Sequence, residues 1–237
     1  MTLGVVVLAG GQGSRIKSVL GNTPKLLAPI SGRPFIHYLF DWLAYSLNAT
    51  PFSVFLATGF EHEQIQHYVE SHTLNCLLIR EKSPLGTLGA AANAVNNIDD
   101  SINNFLIING DTLFTCDLSS AYFQFSSVGS RSLAVVKMSN ENERFGGYKI
   151  LPTNKTLSIT SSDPECISMG AVFASRDDVL SAFRQAEKHT NIPMMDQDFI
   201  ALGKTAAFII HQDALFIDIG VPSSYSEAQL LIPDEFH

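Results

Sequence analysis

"VVVLAGGQGSRIKSVLGNTPKLLAP", residues 5–29, joins an unbroken apolar run to three closely spaced glycines, then to an arginine and a proline–lysine pair. The β-branched run predicts a buried strand, and the glycines predict the turn that ends it. Gly10, Gly11 and Gly13 let backbone amides approach a ligand and accept positive φ without a Cβ penalty. Successive bare N–H groups make an anion nest, to which Arg15 adds a forked, permanently charged donor and Lys25 a compact second cation. Together these residues describe a polyphosphate cradle; the glycines alone describe a tight strand-to-helix connection equally well. Two rival motifs fail on the letters. A P-loop needs GK followed by Ser or Thr, which is absent, and Ile16 stands where a GxGxxG fingerprint counted from Gly11 needs its third glycine. The stretch beyond reads as a long loop ending in Pro24–Lys25.

Downstream, short apolar runs at 52–58, 76–81 and 104–110 alternate with helix-length stretches at 35–47, 61–72 and 86–98. This alternation predicts βαβ units and an α/β fold: a Rossmann-like, mostly parallel or mixed sheet flanked by helices. The second half adds strand patterns at 132–138, 146–150, 166–175, 206–211 and 214–220, with helices at 176–189 and 221–232. It reads as a mixed continuation of the same sheet with an appended strand-rich face. No linker or repeat divides the chain, so a single domain over 1–237 is expected.

A bound polyphosphate needs a counter-charge, and two acids are placed to help supply it. "LIINGDTLF" delivers Asp111, after Gly110, to the end of a buried strand, where open α/β sheets hold their ligands. "FIDIGVP" repeats the arrangement at Asp218; read alone, Asp111 also fits a cap of the next turn and Asp218 the N-cap region of the last helix, for which Ser223 and Ser224 are better placed. The pair would share one Mg²⁺ if their strands lie close together. In "EKSPLGTLGAAANAV" the small residues leave room for a flat ring, and close helix–sheet packing explains the same alanines.

The 237 residues are 46% hydrophobic and 16% charged, an ordinary globular composition. With Lys+Arg 15 against Asp+Glu 23 and a net charge of -8, no global positive field exists to hold a nucleic acid. Cys76, Cys116 and Cys166 lack CxxC spacing and are odd in number, which speaks against a disulfide framework or zinc site and for a reducing compartment. No signal-peptide pattern or membrane span is read in the letters, and a cytoplasmic location is expected. The polar stretch carrying His62, His67 and His72 reads as a solvated helix face, and no Ser/His/Asp or Cys/His arrangement stands out.

The combination "LAGGQGSR…PKLLAPISGRPFI", "PLGTLGAA", "INGDT" and "FIDIGVPSSY" resembles the sugar-1-phosphate nucleotidyltransferases over nearly the whole chain. Within that family the pattern is most similar to the D-glycero-α-D-manno-heptose 1-phosphate guanylyltransferase type. The resemblance implies a nucleotidyltransferase (GT-A-like) fold, with a nucleotide-binding half at 1–130 and a sugar-phosphate-binding half at 131–237. It implies Mg²⁺-dependent transfer of a nucleoside monophosphate from NTP, with GTP favoured, to a sugar 1-phosphate for surface polysaccharide such as lipopolysaccharide or capsule. A homo-oligomer is compatible with it. By position it assigns catalysis to Arg15 and Lys25, and metal binding to Asp111 and Asp218. The nucleotide falls to Leu8, Ala9, Gly10, Gly11, Gly13, Ser14, Pro84, Gly86, Thr87 and Gly110, and the sugar to Gly170 and Asp196.

The departures from the family fall on the acceptor side. "SITSSDPE" replaces a Glu-Lys pair, removing a sugar-phosphate lysine. Ser168 stands in an asparagine position, and Asp196 in that of a glutamate. Alternatives therefore stay open: uridylyl or thymidylyl transfer to a hexose or N-acetylhexosamine 1-phosphate, or a binding protein without turnover. A nicotinamide oxidoreductase is disfavoured by the loop.

Overall fold

The computed structural model describes residues 2–128, 132–139, 147–152, 155–160, 163–190, 192–199 and 205–235. The chain opens with β1 (Leu3–Ala9), the short α1 (Lys17–Leu20), a two-residue hairpin of β2 (Pro29–Ile30) and β3 (Arg33–Pro34), and α2 (Phe35–Ser46). Next come β4 (Phe52–Thr58), α3 (His62–Ser71), β5 (Cys76–Arg80), α4 (Gly86–Asn96) and β6 (Asn104–Asn109). There follow β7 (Thr112–Phe114), α5 (Leu118–Val128), β8 (Ser132–Met138), β9 (Gly147–Ile150), β10 (Leu157–Thr160) and β11 (Cys166–Ser175). The chain closes with α6 (Arg176–Ala186), β12 (Thr205–Ile210), β13 (Phe216–Asp218) and α7 (Pro222–Glu235).

Among the described residues one nine-stranded sheet forms the centre, in the order β10-β9-β11-β6-β1-β4-β5, with β8 also beside β11 and β12 outside β8. β6, β1, β4 and β5 run parallel, and β11 lies antiparallel to both β6 and β8. Leu3 to Val7 are all buried, as expected of a parallel strand covered on both faces. Alternation divides that strand between two cores: Val5 and Val7 join the side chains of α2, α5 and α7, whereas Val6 joins Leu88, Ala91 and Val95 of α4 and Val179 and Ala182 of α6. Because β4 lies on one side of β1 and β6 on the other, the winding reverses at β1. A crevice opens outside the carboxyl ends of such neighbours.

The expected mixed sheet is present, and two local readings need correction. The strand within 214–220 does not extend the main sheet; β13 pairs antiparallel with β7 in a separate two-stranded ribbon, Asp218 opposite Thr112. The stretch after the glycines is not a plain loop, since Ser14–Ile16 and Lys25–Leu27 form 3₁₀ turns around α1. In the first turn the Ile16 amide donates to the Gly13 carbonyl at 3.0 Å. Gly13 at φ 59° sits in the left-handed region that favours glycine.

Candidate nucleotide cleft

The crevice at the carboxyl ends of β1 and β6 is a cleft of about 400 Å³. Leu8, Ala9, Gly10, Gly11 and Gln12 line one wall, followed by Arg15 and Lys25. Pro84, Gly86, Thr87 and Ala90, from the start of α4, form the facing wall. Gly110, Asp111 and Asp218 close the end. Segments distant in sequence are thus brought to one place chiefly because several of them follow strand ends, those of β1, β5 and β6 in the main sheet and that of β13 in the separate ribbon.

The two acids converge through backbone pairing. Asp111 immediately precedes β7 and Asp218 ends β13, and the Ile219 amide donates to the Asp111 carbonyl at 2.9 Å. A Cβ placed on Gly220 would lie 3.1 Å from Asp218 Oδ1 and 3.5 Å from Asp111 Oδ2, so both carboxylates border one point beside Gly220. The Gly220 amide donates to Asp218 Oδ1 at 3.0 Å and fixes its aim. Lys25 Nζ donates to Asp111 Oδ2 in an ion pair whose side chains keep 21% and 15% of their exposure. Among the described residues no cluster of three metal-ligating acids, histidines or cysteines occurs.

The cleft continues past Arg15 into a second chamber of about 310 Å³. Its lining includes Asn109, Thr112, Tyr148, Ser168, Gly170, Gln197 and Phe216, with Arg15, Thr87 and Asp218 shared between the chambers. Gly170 sits at φ 68°, and an added Cβ there would overlap the Asn109 amide. The Gly170 amide donates to Ser168 Oγ at 3.1 Å. The β8–β11 register shifts between Ser168 and Val172, as a bulge does when it re-aims side chains next to a site.

Several assigned residues shape the walls, some from outside the space and some while also lining it. Ser14 lines neither chamber, and Gly13 lines a small crevice behind the loop with Lys17, Thr23 and Phe60. Thr87 Oγ1 accepts from the Met195 amide at 2.7 Å, and the Leu88 amide donates to the Pro193 carbonyl at 3.1 Å. These two bonds tie the start of α4 to the π-helical turn Met195–Phe199 and to Pro193 just before it. Gly86, at φ 74°, must be glycine there because an added Cβ would overlap the Pro193 carbonyl. The Asp196 side chain and Ser161–Ser162 of the acceptor-side departure lie outside the described residues. In the alanine stretch Ala91, Ala92 and Ala94 are core, and only Ala90 reaches the cleft.

Asn109 and Glu81 are polar residues of the cleft to which the sequence analysis gives no role. Asn109, the last residue of β6, borders both chambers. Glu81 follows β5 and lines the cleft, its Oε2 shut off from solvent with no hydrogen-bond partner among the described residues. Burial pushes its carboxyl above the ordinary value, with the Leu85 amide opposing that rise. An acid ending the apolar run "CLLIRE" was the available signal, of the same kind that revealed Asp111 and Asp218. The histidine reading also needs a correction: His62 is 8% exposed, its Nδ1 hydrogen-bonded to Thr58 Oγ1 at 2.7 Å. Burial pushes the thiols of Cys76 and Cys166 to about 11 and Cys116 to about 12, so none is a ready nucleophile at neutral pH.

The described residues include no helix long and apolar enough to cross a membrane. Residues 4–235 match the family model "Nucleotidyl transferase". A D-glycero-alpha-D-manno-heptose 1-phosphate guanylyltransferase of Aneurinibacillus thermoaerophilus is 33% identical, over 94% of this chain and 96% of its own. A protein of the same name from Campylobacter jejuni is 28% identical over 93% and 96%. Among solved structures, HddC of Yersinia pseudotuberculosis complexed with GMP-PN matches with TM-score 0.72 and 29% identity, over 96% of this chain and 98% of that one. A putative glucose-1-phosphate thymidylyltransferase of Bacillus anthracis, 16% identical with TM-score 0.75 over 99% and 96%, shares the fold. With a family model matched almost from end to end, on a sheet whose crevice gathers the glycine loop, both cations and both acids, the chain belongs to the nucleotidyl transferase family.

Proposed function

We propose that the protein transfers a nucleoside monophosphate from an NTP to a sugar 1-phosphate, releasing pyrophosphate, with GTP and D-glycero-α-D-manno-heptose 1-phosphate as its substrates. The observation that carries this reading is the meeting of Lys25, Asp111 and Asp218 around one point beside the Gly10–Gly13 loop. The heptose and the guanine are supported by the names of the full-length relatives and by the nucleotide analogue bound to HddC. A GDP-sugar of this kind suits assembly of a surface polysaccharide.

In this reading a phosphate oxygen of the sugar 1-phosphate attacks the α-phosphorus of the NTP. The bond from that phosphorus to the oxygen bridging to the β-phosphate breaks, and pyrophosphate leaves with the electron pair. No protein nucleophile is required, and the residues act by positioning and by charge. The amides from Gly10 to Gly13 and the Arg15 guanidinium receive the triphosphate. Lys25 leaves Asp111 for the reacting phosphate, placing a cation where negative charge gathers. Asp111 and Asp218 fit Mg²⁺, a hard cation that takes one or two carboxylates and completes its shell with water and phosphate oxygens. When bound, Mg²⁺ supplies Lewis-acid neutralisation of the phosphate oxygens.

The acceptor chamber, with Gly170 and the segment carrying Asp196, takes the sugar 1-phosphate. Its departures from the family pattern make hexose and N-acetylhexosamine 1-phosphates the necessary controls. The test is pyrophosphate release over a panel of four NTPs and heptose, mannose, glucose and N-acetylhexosamine 1-phosphates. GTP with the heptose 1-phosphate should be fastest. A faster pair elsewhere in the panel would reassign the substrates, and no release from any pair would favour a binding protein without turnover.

A further inference from the structure

Tyr225 closes the motif "FIDIGVPSSY" and has no part in the scheme above. It lies in the first turn of α7, and its hydroxyl donates to the Pro29 carbonyl at 2.5 Å. One turn further along the helix, Gln229 Nε2 donates to the same carbonyl at 2.8 Å, and Gln229 Oε1 accepts from the Ser31 amide at 2.7 Å. The Ser31 hydroxyl donates in return to the Gln229 carbonyl at 2.8 Å. All four bonds fall on the β2–β3 hairpin, where Ser31 at φ 47° precedes Gly32 at φ 83°. A two-residue turn with positive φ at both centres favours Asn or Gly, so Ser31 is strained. Strain of that kind persists where the surroundings fix it, and here α7 does the fixing.

The two sides of this clamp lead to opposite charges. Pro29 follows the Lys25–Leu27 turn by two residues, and the Ala28 amide closes that turn on the Lys25 carbonyl at 3.0 Å. Leu26, Ala28 and Ile30 are buried, so a shift of the hairpin carries the turn with it. On the other side α7 starts four residues after Asp218, whose carboxylate accepts from the Gly220 amide. Between them Ile219 donates its amide to the Asp111 carbonyl. The helix thus grips the peptide that carries the cation while its own root carries the acids. We infer that Tyr225 and Gln229 are positioning residues, which set Lys25 against Asp111 and Asp218 by holding the β2–β3 hairpin on α7. The inference rests on the nucleotidyltransferase reading for the reaction that this placement serves. A misplacement of about 1 Å can cost on the order of 10²-fold in rate even when its origin lies away from the chemistry.

Tyr225→Phe removes one hydroxyl and Gln229→Ala one amide, each checked by circular dichroism for folding at the assay temperature. Ser226→Ala, exposed on the same helix, is the control. In pyrophosphate release each clamp variant should lose about tenfold in kcat and keep its KM for GTP within about twofold, with Ser226→Ala unchanged. In a Lys25→Ala background the same substitutions should cost less than about twofold, because the group they position is gone. An equal loss in both backgrounds would show a merely structural role and overturn the inference, as would normal kcat in both clamp variants. Reductive methylation of the substrate-free protein, read by peptide mass spectrometry, reports the Lys25–Asp111 ion pair without turnover. Lys25 should react about threefold faster in the clamp variants than in wild type, with exposed Lys188 as the unchanged standard. Unchanged Lys25 labelling in both variants would overturn the inference. Faster labelling with no wild-type turnover on any NTP and sugar 1-phosphate keeps the clamp and sinks the transferase; wild-type turnover in every variant with unchanged labelling does the reverse.

Discussion

The two chambers on either side of Arg15 are built differently. The nucleotide chamber is lined largely by segments that follow strand ends, and it holds Arg15, Lys25, Asp111, Asp218 and Glu81 within about 400 Å³. The acceptor chamber is lined from β9, the bulge of β11, the turn Met195–Phe199 and β13. Its only charged lining side chains among the described residues are Arg15 and Asp218, both shared with its neighbour. Charge is therefore concentrated where a triphosphate would react, while sugar hydroxyls would meet neutral groups such as Tyr148, Asn109 and Gln197. One chamber is organised for electrostatics and the other for shape and hydrogen bonding. Among the described residues Arg15, at the seam, is the one cation that reaches both.

Several substitutions would break or sharpen that division. Lys25→Ala should lower kcat by about 10²–10³-fold with the fold retained, measured as steady-state pyrophosphate release; near-normal turnover by the folded variant would remove Lys25 from the chemistry. Arg15→Ala should raise KM for NTP and for sugar 1-phosphate together, each by about tenfold, about 1.4 kcal/mol of binding. An effect on one substrate alone would move Arg15 off the seam. Gly86→Ala should cost about 2 kcal/mol of stability or more, since it combines positive φ with an overlap on the Pro193 carbonyl. Gly13→Ala, where the nearest atom would be Lys25 Cγ at 3.5 Å, should cost only the backbone strain, about 1 kcal/mol. Denaturant melts of the two variants would reveal the difference.

A smaller, pH-dependent effect concerns Glu81. Its folded-state pKa is raised, chiefly by burial, so the folded protein holds a proton that the unfolded chain has already released. Stability contributed at that site is present below the ordinary carboxyl value and lost as pH rises through the raised one. Glu81→Gln should therefore be more stable than wild type at neutral pH by about 1 kcal/mol, an advantage that disappears in acid. A pH series of thermal melts would check it, and a variant equally destabilised at every pH would contradict the picture of an unsatisfied charge.

The same contrast explains how far the sequence was legible. The proposed nucleotide side announces itself because its acids and glycines follow apolar runs: Asp111 after "FLIIN" and Gly110, Asp218 after "LFI", the glycines after "VVVLA". Strand ends in an α/β sheet are predictable in both sequence and space, so these residues could be grouped without a structure. The acceptor side depends on non-local events. The bulge between Ser168 and Val172, the pairing of β13 with β7 rather than with the main sheet and the π-helical turn at Met195–Phe199 have no periodic signature. Thr87 shows the same limit, since its bond to the Met195 amide spans a sequence separation that pattern reading does not reach. His62 was misread for a related reason: its helix is polar overall, and the residue starts the first turn against Thr58.

The central claim is that the nucleotide chamber performs transfer to an acceptor rather than binding or hydrolysis alone. Phosphorus NMR of the protein with GTP, Mg²⁺ and D-glycero-α-D-manno-heptose 1-phosphate tests it most directly. Matched growth of pyrophosphate and a nucleoside diphosphate sugar is expected, abolished by chelating the metal and absent when either substrate is omitted. Loss of GTP at the same rate without the sugar 1-phosphate, or no diphosphate sugar with any NTP and sugar 1-phosphate of the panel, would contradict it.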